Sequence, residues 1–170
     1  FPDRLRAALG GGSVAAFQFR VKDVDQHEAA RLAEPLQRIC ADREVAFLVN
    51  DSISLAKRLG ADGVHLGQED GDPREARQAL GPGAQIGVTC HDSKHLAMEA
   101  GEAGADYVAF GAFDQGLDLE PILELVAGWT AFTTVPCVAG GRIGLSDAEA
   151  LIVARVEFLA LGAAIWDDPD

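Results

Sequence analysis

The sequence predicts an α/β fold, a (β/α)₈ barrel of the TIM-barrel type, formed by residues 1–170 as a single domain. Two observations predict this fold class: short β-branched apolar runs alternate with longer Ala/Leu/Glu/Arg stretches of helical spacing, and the connections between them are short. Strict alternation is typical of βα units, whose strands pair in parallel. A chain of 170 residues with 48% hydrophobic content can bury one good core but not two.

The predicted elements follow one another without a linker or a low-complexity tract. The strand-like runs are Ser13–Arg20, Val45–Asn50, Gly63–Leu66, Ala84–Val88, Tyr107–Phe110, Pro136–Ala139 and Phe158–Leu161. The helix-like stretches are Pro2–Leu9, Gln26–Asp42, Ile53–Leu59, Pro73–Leu80, Ser93–Ala103, Leu119–Trp129 and Ser146–Ala154. Helix boundaries are marked by Asp72 ahead of Pro73, and by Gly60, Gly81 and Gly104 after helix ends.

Seven strands and an opening helix are compatible with two architectures, an open doubly wound sheet and a barrel without its first strand. Eight strands close a barrel and remove its edges, so the count favours the barrel. We therefore expect the sequence to begin just after the first strand of the fold.

Composition and charge exclude several classes of partner. A net charge of −13 disfavours nucleic acids and anionic membranes, because both are bound by clustered Lys and Arg. No apolar run reaches the roughly 18 residues that span a bilayer, and no secretory signal precedes the first helix. We expect a soluble cytoplasmic protein. The odd number of widely spaced cysteines, three, predicts buried free thiols rather than disulfides or a zinc site.

Polar residues and glycines follow the predicted strands, where barrels of this type carry their functional groups. In the first run, Gln18, Arg20 and Lys22 alternate and therefore point to one side of an extended chain. The later runs are followed by Asn50 and Asp51, Gln68 and Asp70, Thr89, Gly140 and Gly141, and Gly162 and Ala163.

The chemistry of this set indicates a site for a polyphosphate. Arg20 and Lys22 supply charged donors, and the carboxylates of Asp51 and Asp70 can hold Mg²⁺, which takes few protein ligands. Glycine turns ahead of helices can offer backbone N–H groups to a monophosphate. Each feature also has an ordinary explanation, and Asp51 in particular could simply cap the helix that follows it. Their joint placement after strands favours the functional interpretation.

Three strings in the first half of the chain resemble the thiamine phosphate synthase family. They are Gln18-Phe-Arg-Val-Lys-Asp23, Val49-Asn-Asp51 and Gly60-Ala-Asp-Gly-Val-His-Leu-Gly-Gln-Glu-Asp70. The resemblance continues, in order and spacing, through Gly87-Val-Thr-Cys-His91, Ala105-Asp-Tyr-Val108 and Phe110-Gly111. It covers about residues 12–166, and the block from Ala61 to Asp70 is its most specific part.

The resemblance implies a transferase that joins hydroxymethylpyrimidine pyrophosphate to a thiazole phosphate, using Mg²⁺ and releasing pyrophosphate. It implies that Gln18, Arg20, Lys22 and Asn50 hold the pyrimidine substrate, while Asp51 and Asp70 hold the metal. Thr89 keeps a hydroxyl where the family has serine, and we include it with Arg20 and Lys22 as catalytic. The thiazole phosphate would be bound by Gly140, Gly141, Gly162 and Ala163.

The chain departs from the family after Phe110-Gly111. The family has a Thr-rich loop there that ends in Thr-Lys, whereas this chain continues with Ala112-Phe113-Asp114-Gln115-Gly116. Either the loop has been lost, or residues between Phe113 and Asp114 are missing from this sequence. We favour the second explanation and expect a break in the chain at that bond. The string Val138-Ala-Gly-Gly-Arg-Ile143 also differs, since it carries Arg142 where the family pattern has a plain Gly-Gly-Ile.

Three further questions are open at this level. His65 lies inside a strand, and we prefer a structural histidine to a general base. Thiazole tautomerase, a related isomerase, has a histidine where this chain has Ala112, which weakens that alternative. A non-catalytic phosphate-binding relative is the other alternative. The expected partners are small phosphorylated molecules, and a homodimer is left open.

Overall fold

A computed structural model describes residues 1–116 and 119–166, with side chains undescribed at 112–116, Leu145 and Ala163. The chain divides into two compact units, residues 1–86 and 87–170. In both units the strands follow the order of the chain, and every described strand pairing is parallel. The expectation that residues 1–170 form one domain stays a prediction.

The first unit consists of four helices and three complete strands, followed by the start of a fourth. They are α1 (Pro2–Gly10), β1 (Ala16–Phe19), α2 (Gln26–Ala41), β2 (Ala46–Asn50), α3 (Ile53–Leu59), β3 (Gly63–Leu66), α4 (Pro73–Leu80) and β4 (Gln85–His91). Asp25 caps α2 and Asp72 caps α4, in each case by accepting backbone N–H groups of the first turn. Gly60 ends α3 in the left-handed conformation, with φ 58°, as the sequence predicted.

The two faces of the sheet in the first unit differ in chemistry. One face carries an aromatic cluster, in which the ring centre of Phe47 lies 5.8 Å from that of Phe17 and 5.6 Å from that of Phe19. The pairings of Gln18 with Leu48 and of Asn50 with His65 place Gln18, Asn50 and His65 on the opposite face. Alternation in the strands thus separates the aromatic core from the polar residues.

The second unit continues β4 and adds three strands and four helices. They are α5 (Lys94–Glu102), β5 (Tyr107–Gly116), α6 (Leu119–Thr130), β6 (Cys137–Arg142), α7 (Leu145–Val153), β7 (Phe158–Leu161) and α8 (Ala163–Trp166). The core of this unit contains Phe110 and the fully buried Trp129, whose rings meet edge to face at 5.8 Å. The indole N–H of Trp129 donates to the carbonyl of Val135 at 2.7 Å, so its one polar atom is satisfied.

The predicted state of the cysteines is confirmed, because Cys40, Cys90 and Cys137 are free and buried. Burial raises the pKa of Cys40 to about 11 and those of Cys90 and Cys137 to about 12, so all three are protonated, unreactive thiols at neutral pH. Among the described helices, none is both long and apolar enough to cross a bilayer.

Near the strand ends, one local prediction is wrong and one helix was not predicted. Gly140 and Gly141 were expected to form a turn, but both lie inside β6, paired with Ala160 and Leu161 of β7. The strand continues to Arg142 because pairing with β5 and β7 outweighs the weak strand preference of glycine. The helix α8 was missed, since four residues are too few to show a helical period.

Phe113 and Asp114 both lie within strand β5, without the expected break between them. The explanation that residues are missing from the sequence at this junction stays a prediction. Gly111 pairs with Gly140 and Gly116 pairs with Arg142, so four residues of β5 stand opposite the single residue Gly141. The pairing of β5 with β6 is therefore irregular between Gly111 and Gly116. Residues 117 and 118, which complete the connection to α6, lie outside the described residues.

Replacing Gly63 with alanine should destabilise the first unit, because a Cβ there would lie 2.0 Å from the carbonyl oxygen of Gln85. The obstacle is backbone, so the strands must separate, at a cost of about 1–3 kcal/mol. Urea unfolding should show a lower midpoint. Gly83→Ala is the control, since nothing lies within 4 Å of its Cβ position, and we expect a change within about 0.5 kcal/mol. Equal midpoints for the two variants would contradict the close approach of the Gln85 backbone to Gly63.

Candidate functional site

Asp51 is held at the carboxyl end of β2 by its own backbone. Its φ is 66°, a left-handed conformation that Asp and Asn adopt more readily than most residues, and its N–H donates to the carbonyl of His65 at 2.8 Å. The helix that follows is capped by Ser52, whose hydroxyl accepts from the N–H of Leu55 at 3.2 Å. The alternative that Asp51 serves as the helix cap is therefore wrong.

Asp70 lies on the loop after β3, and its position depends on a glycine that the sequence analysis did not single out. The N–H of Gly67 donates to Oδ2 of Asp70 at 2.9 Å. A Cβ on Gly67 would lie 2.5 Å from the same oxygen, so any larger residue would push the carboxylate away. The Gly-x-x-Asp spacing after a strand was the only available signal for this role.

The carboxyl groups of Asp51 and Asp70 lie close enough to interact through charge and a side-chain hydrogen bond. The pKa of Asp51 is raised by burial first, and then by the charge of Asp70 and a side-chain hydrogen bond with it. Among the described residues, no group of three or more His, Cys, Asp and Glu side chains could hold a metal. Two carboxylates suit Mg²⁺, which commonly takes one or two from the protein and keeps water or phosphate oxygens in its remaining positions.

Basic and amide side chains of β1 and the segment after it complete this group. Arg20 and Lys22 are exposed, and both charges lower the pKa of Asp51, so they lie within electrostatic reach of it. The amide of Gln18 donates to Oδ1 of Asn50, which precedes Asp51 in the chain. The structure thus brings together all six residues predicted in the first unit.

His65 is 3% exposed and lies opposite Asn50 in the pairing of β2 with β3. Burial lowers its pKa to about 4 although the charge of Asp70 acts in the other direction, so the imidazole is neutral at pH 7. An imidazole with this pKa is a weak base, which supports the structural assignment over the general base.

The predicted residues of the second unit lie in β4, in β6 and at the start of α8. Thr89 is half-buried in β4 and pairs with Ala109. Gly140 pairs with both Gly111 and Ala160, which places residues without bulky side chains side by side on three strands. Gly162 precedes the short helix α8, and its carbonyl accepts the N–H groups of Ile165 and Trp166. The side chain of Ala163 lies outside the described residues.

Comparison with known proteins identifies the family of the chain. The family described as thiamine monophosphate synthase matches residues 1–165. The chain is 63% identical to a thiamine-phosphate synthase of Erythrobacter litoralis over 174 residues, which cover 98% of this chain and 82% of the relative. It is 47% identical to the thiamine-phosphate synthase of Rhodospirillum centenum, over 99% of this chain and 84% of the relative.

A solved thiamine phosphate pyrophosphorylase from Pyrococcus furiosus is similar in structure, with a TM-score of 0.86 and 29% identity, over 99% of this chain and 82% of that one. This similarity confirms the predicted α/β fold class, the (β/α)₈ barrel. The alignment with the Erythrobacter protein spans 174 positions against the 170 residues here, so that relative has residues with no counterpart in this chain. The match over residues 1–165 and the identities of 63% and 47% establish that the chain belongs to the thiamine monophosphate synthase family.

Proposed function

We propose that this protein transfers a pyrimidinylmethyl group from hydroxymethylpyrimidine pyrophosphate to a thiazole phosphate, forming thiamine phosphate and releasing pyrophosphate. The observation that carries the proposal is the contact between the Asp51 and Asp70 carboxyl groups, within electrostatic reach of Arg20 and Lys22. Its relatives in Erythrobacter litoralis and Rhodospirillum centenum, both thiamine-phosphate synthases, support the same activity.

The chemistry requires a departing pyrophosphate to be stabilised. Arg20 and Lys22 act on the negative charge that develops on this leaving group, and the amides of Gln18 and Asn50 orient the pyrimidine substrate. Asp51 and Asp70 would hold Mg²⁺, which would neutralise part of the pyrophosphate charge. These assignments give each of the six predicted site residues of the first unit one role.

In the second unit, Thr89 contributes a hydroxyl to catalysis. Gly162 and Ala163 offer backbone N–H groups to the thiazole phosphate, and Gly140 and Gly141, whose backbone is paired within the sheet, line its site without bulky side chains. Small phosphorylated molecules are therefore the proposed partners, rather than nucleic acids or membranes, and the cytoplasm is the proposed location. A homodimer stays a prediction.

The direct test is to incubate the protein with both substrates and Mg²⁺ and to measure thiamine phosphate and pyrophosphate. We expect the two products in equal amounts and none when Mg²⁺ is replaced by a chelator. Release of pyrophosphate without thiamine phosphate would indicate hydrolysis and contradict the transfer.

One observation favours a second candidate function. The segment after Gly111 contains neither the threonines nor the lysine of the family loop, and β5 passes through it without a break. A site without a closing loop would bind pyrophosphate but exclude water poorly. Binding without product in the incubation above would support this pyrophosphate-binding protein over the transferase.

Magnesium should strengthen pyrophosphate binding through the two carboxylates. In calorimetry, Asp51→Asn and Asp70→Asn should each abolish the increase in affinity that Mg²⁺ gives to the unmodified protein, because one carboxylate cannot hold the ion as well. Glu69→Gln is the matched control, since this exposed residue precedes Asp70 in the same loop. An unchanged magnesium effect in the Asp51 and Asp70 variants would refute the metal assignment.

Without metal, Asp51→Asn should stabilise the protein at pH 7. The pKa of Asp51 is raised in the folded state, so ionisation of this carboxyl group lowers the free energy of unfolding. The loss is complete at pH values above the folded pKa and absent at pH values below the unfolded pKa of about 3.9. Asparagine tolerates the left-handed backbone and removes the repulsion from Asp70.

The urea midpoint of Asp51→Asn should therefore exceed that of the unmodified protein at pH 7, and the difference should shrink as the pH falls and Asp51 becomes protonated. Asp3→Asn is the control, because this carboxylate is 98% exposed and its ion pair with Arg6 contributes little. A lower midpoint for Asp51→Asn at pH 7 would mean that Arg20 and Lys22 outweigh the repulsion.

A further inference from the structure

The turn that carries Asp51 is held in an unusual backbone conformation. The N–H of Ser52 donates to the carbonyl of Asn50 at 2.8 Å, so this hydrogen bond closes around Asp51, whose φ is 66°. A three-residue turn with positive φ at its centre is a γ-turn of the rare, strained kind. Such strain persists only where the surrounding structure holds it in place. The direction of the Asp51 carboxyl group therefore depends on the contacts of its neighbours.

Ser52 holds the γ-turn from the helix side. Its hydroxyl accepts the N–H of Leu55 at 3.2 Å and so fixes the start of α3 next to the turn. The hydroxyl oxygens of Ser52 and Ser54 also lie 3.2 Å apart and share a hydrogen bond. Ser52 thus bonds through its backbone inside the γ-turn and through its side chain outside it. It joins the strained turn to the helix.

The side chain of Gln26 extends these contacts to the segment after β1. Gln26 is the first residue of α2, and its amide Nε2 donates to Oγ of Ser54 at 2.7 Å. The segment between β1 and Gln26 carries Arg20 and Lys22. Hydrogen bonds from Gln26 through Ser54 to Ser52 therefore connect the segment with the basic residues to the turn with the carboxylate. None of these three bonded side chains is charged, so they leave the electrostatics of the site unchanged.

We infer that Ser52 is a positioning residue for magnesium-dependent pyrophosphate binding, and that it acts by holding Asp51 in the γ-turn. The inference rests on the proposed function, in which Asp51 is a metal ligand. Without the hydroxyl, α3 loses its cap, and the turn before it is free to relax to an unstrained conformation. The Asp51 carboxyl group then spends less time in the direction that suits the metal. Ser54, bound to Gln26, supports the same arrangement.

The test measures pyrophosphate binding by calorimetry, with and without Mg²⁺, for the unmodified protein and for Ser52→Ala. The increase in affinity with Mg²⁺, the magnesium effect, should fall by about fivefold in Ser52→Ala, the factor that corresponds to a lost helix cap. Binding without Mg²⁺ should not change, because Arg20 and Lys22 are untouched. Ser52→Thr keeps a hydroxyl at the same place and should restore the magnesium effect to within about twofold.

Ser93→Ala is the matched control, because Ser93 caps α5 in the second unit with the same geometry. Its hydroxyl accepts the N–H of Leu96 at 3.2 Å. The two alanine variants should lower the urea midpoint by similar amounts, but only Ser52→Ala should reduce the magnesium effect. Equal reduction by both variants would show a general loss of stability and would overturn the inference. An unchanged magnesium effect in Ser52→Ala, or no recovery in Ser52→Thr, would overturn it as well.

Ser54→Ala is a second variant, which keeps the cap of α3 and also tests the inference if Ser52→Ala does not fold. It removes the contacts with Gln26 and Ser52, and we expect it to weaken the magnesium effect by about twofold. The double variant of Gln26→Ala and Ser54→Ala should lose no more than Ser54→Ala alone, since both changes break the same hydrogen bond. An unchanged magnesium effect in Ser54→Ala, or losses that add up in the double variant, would contradict the connection to Ser52.

The two proposals fail in distinguishable ways. If Mg²⁺ strengthens pyrophosphate binding but no thiamine phosphate forms, the transferase function is wrong, and the variants still decide the role of Ser52. If thiamine phosphate forms and Ser52→Ala leaves the magnesium effect unchanged, the role of Ser52 is wrong and the transferase function stands. Absence of any magnesium effect in the unmodified protein would overturn the inference together with the metal assignment.

Discussion

The repulsion between the carboxyl groups of Asp51 and Asp70 is the constraint on which the first unit depends. Two neighbouring carboxylates, one of them partly buried, are costly unless a cation lies near them. The fold nevertheless holds both in place through backbone groups, with Asp51 fixed by the carbonyl of His65 and Asp70 by the N–H of Gly67. Arg20 and Lys22 offset part of the repulsion. A site that is strained without its cation is expected to bind that cation strongly.

Charge is distributed unevenly between the two units. Residues 1–86 contain 13 Asp and Glu against 11 Lys and Arg, whereas residues 87–170 contain 14 against three. Arg20 and Lys22 belong to the first unit, which suits the role in pyrophosphate binding that we propose for it.

The sequence predicted the fold class and most helix and strand positions, because apolar periodicity and caps such as Asp72 are local signals. It also predicted the residues that meet in the first unit, since the carboxyl ends of neighbouring parallel strands lie together. It could not assign Gly67, whose importance depends on the distance between its Cβ position and Asp70. It likewise misjudged Gly140 and Gly141, because their strand conformation is imposed by pairing with β5 and β7 rather than by their own preferences.

The paired carboxylates can be observed directly by ¹³C NMR of protein labelled at aspartate, with Asp51→Asn and Asp70→Asn used to assign the two carboxyl signals. Titrated with acid, the signal of Asp51 should show a pKa above the ordinary aspartate value of about 3.9, and this pKa should fall in Asp70→Asn. Added Mg²⁺ and pyrophosphate should move the transition of Asp51 to lower pH. Titration of Asp51 near 3.9, unaffected by Mg²⁺ and by Asp70→Asn, would contradict the account.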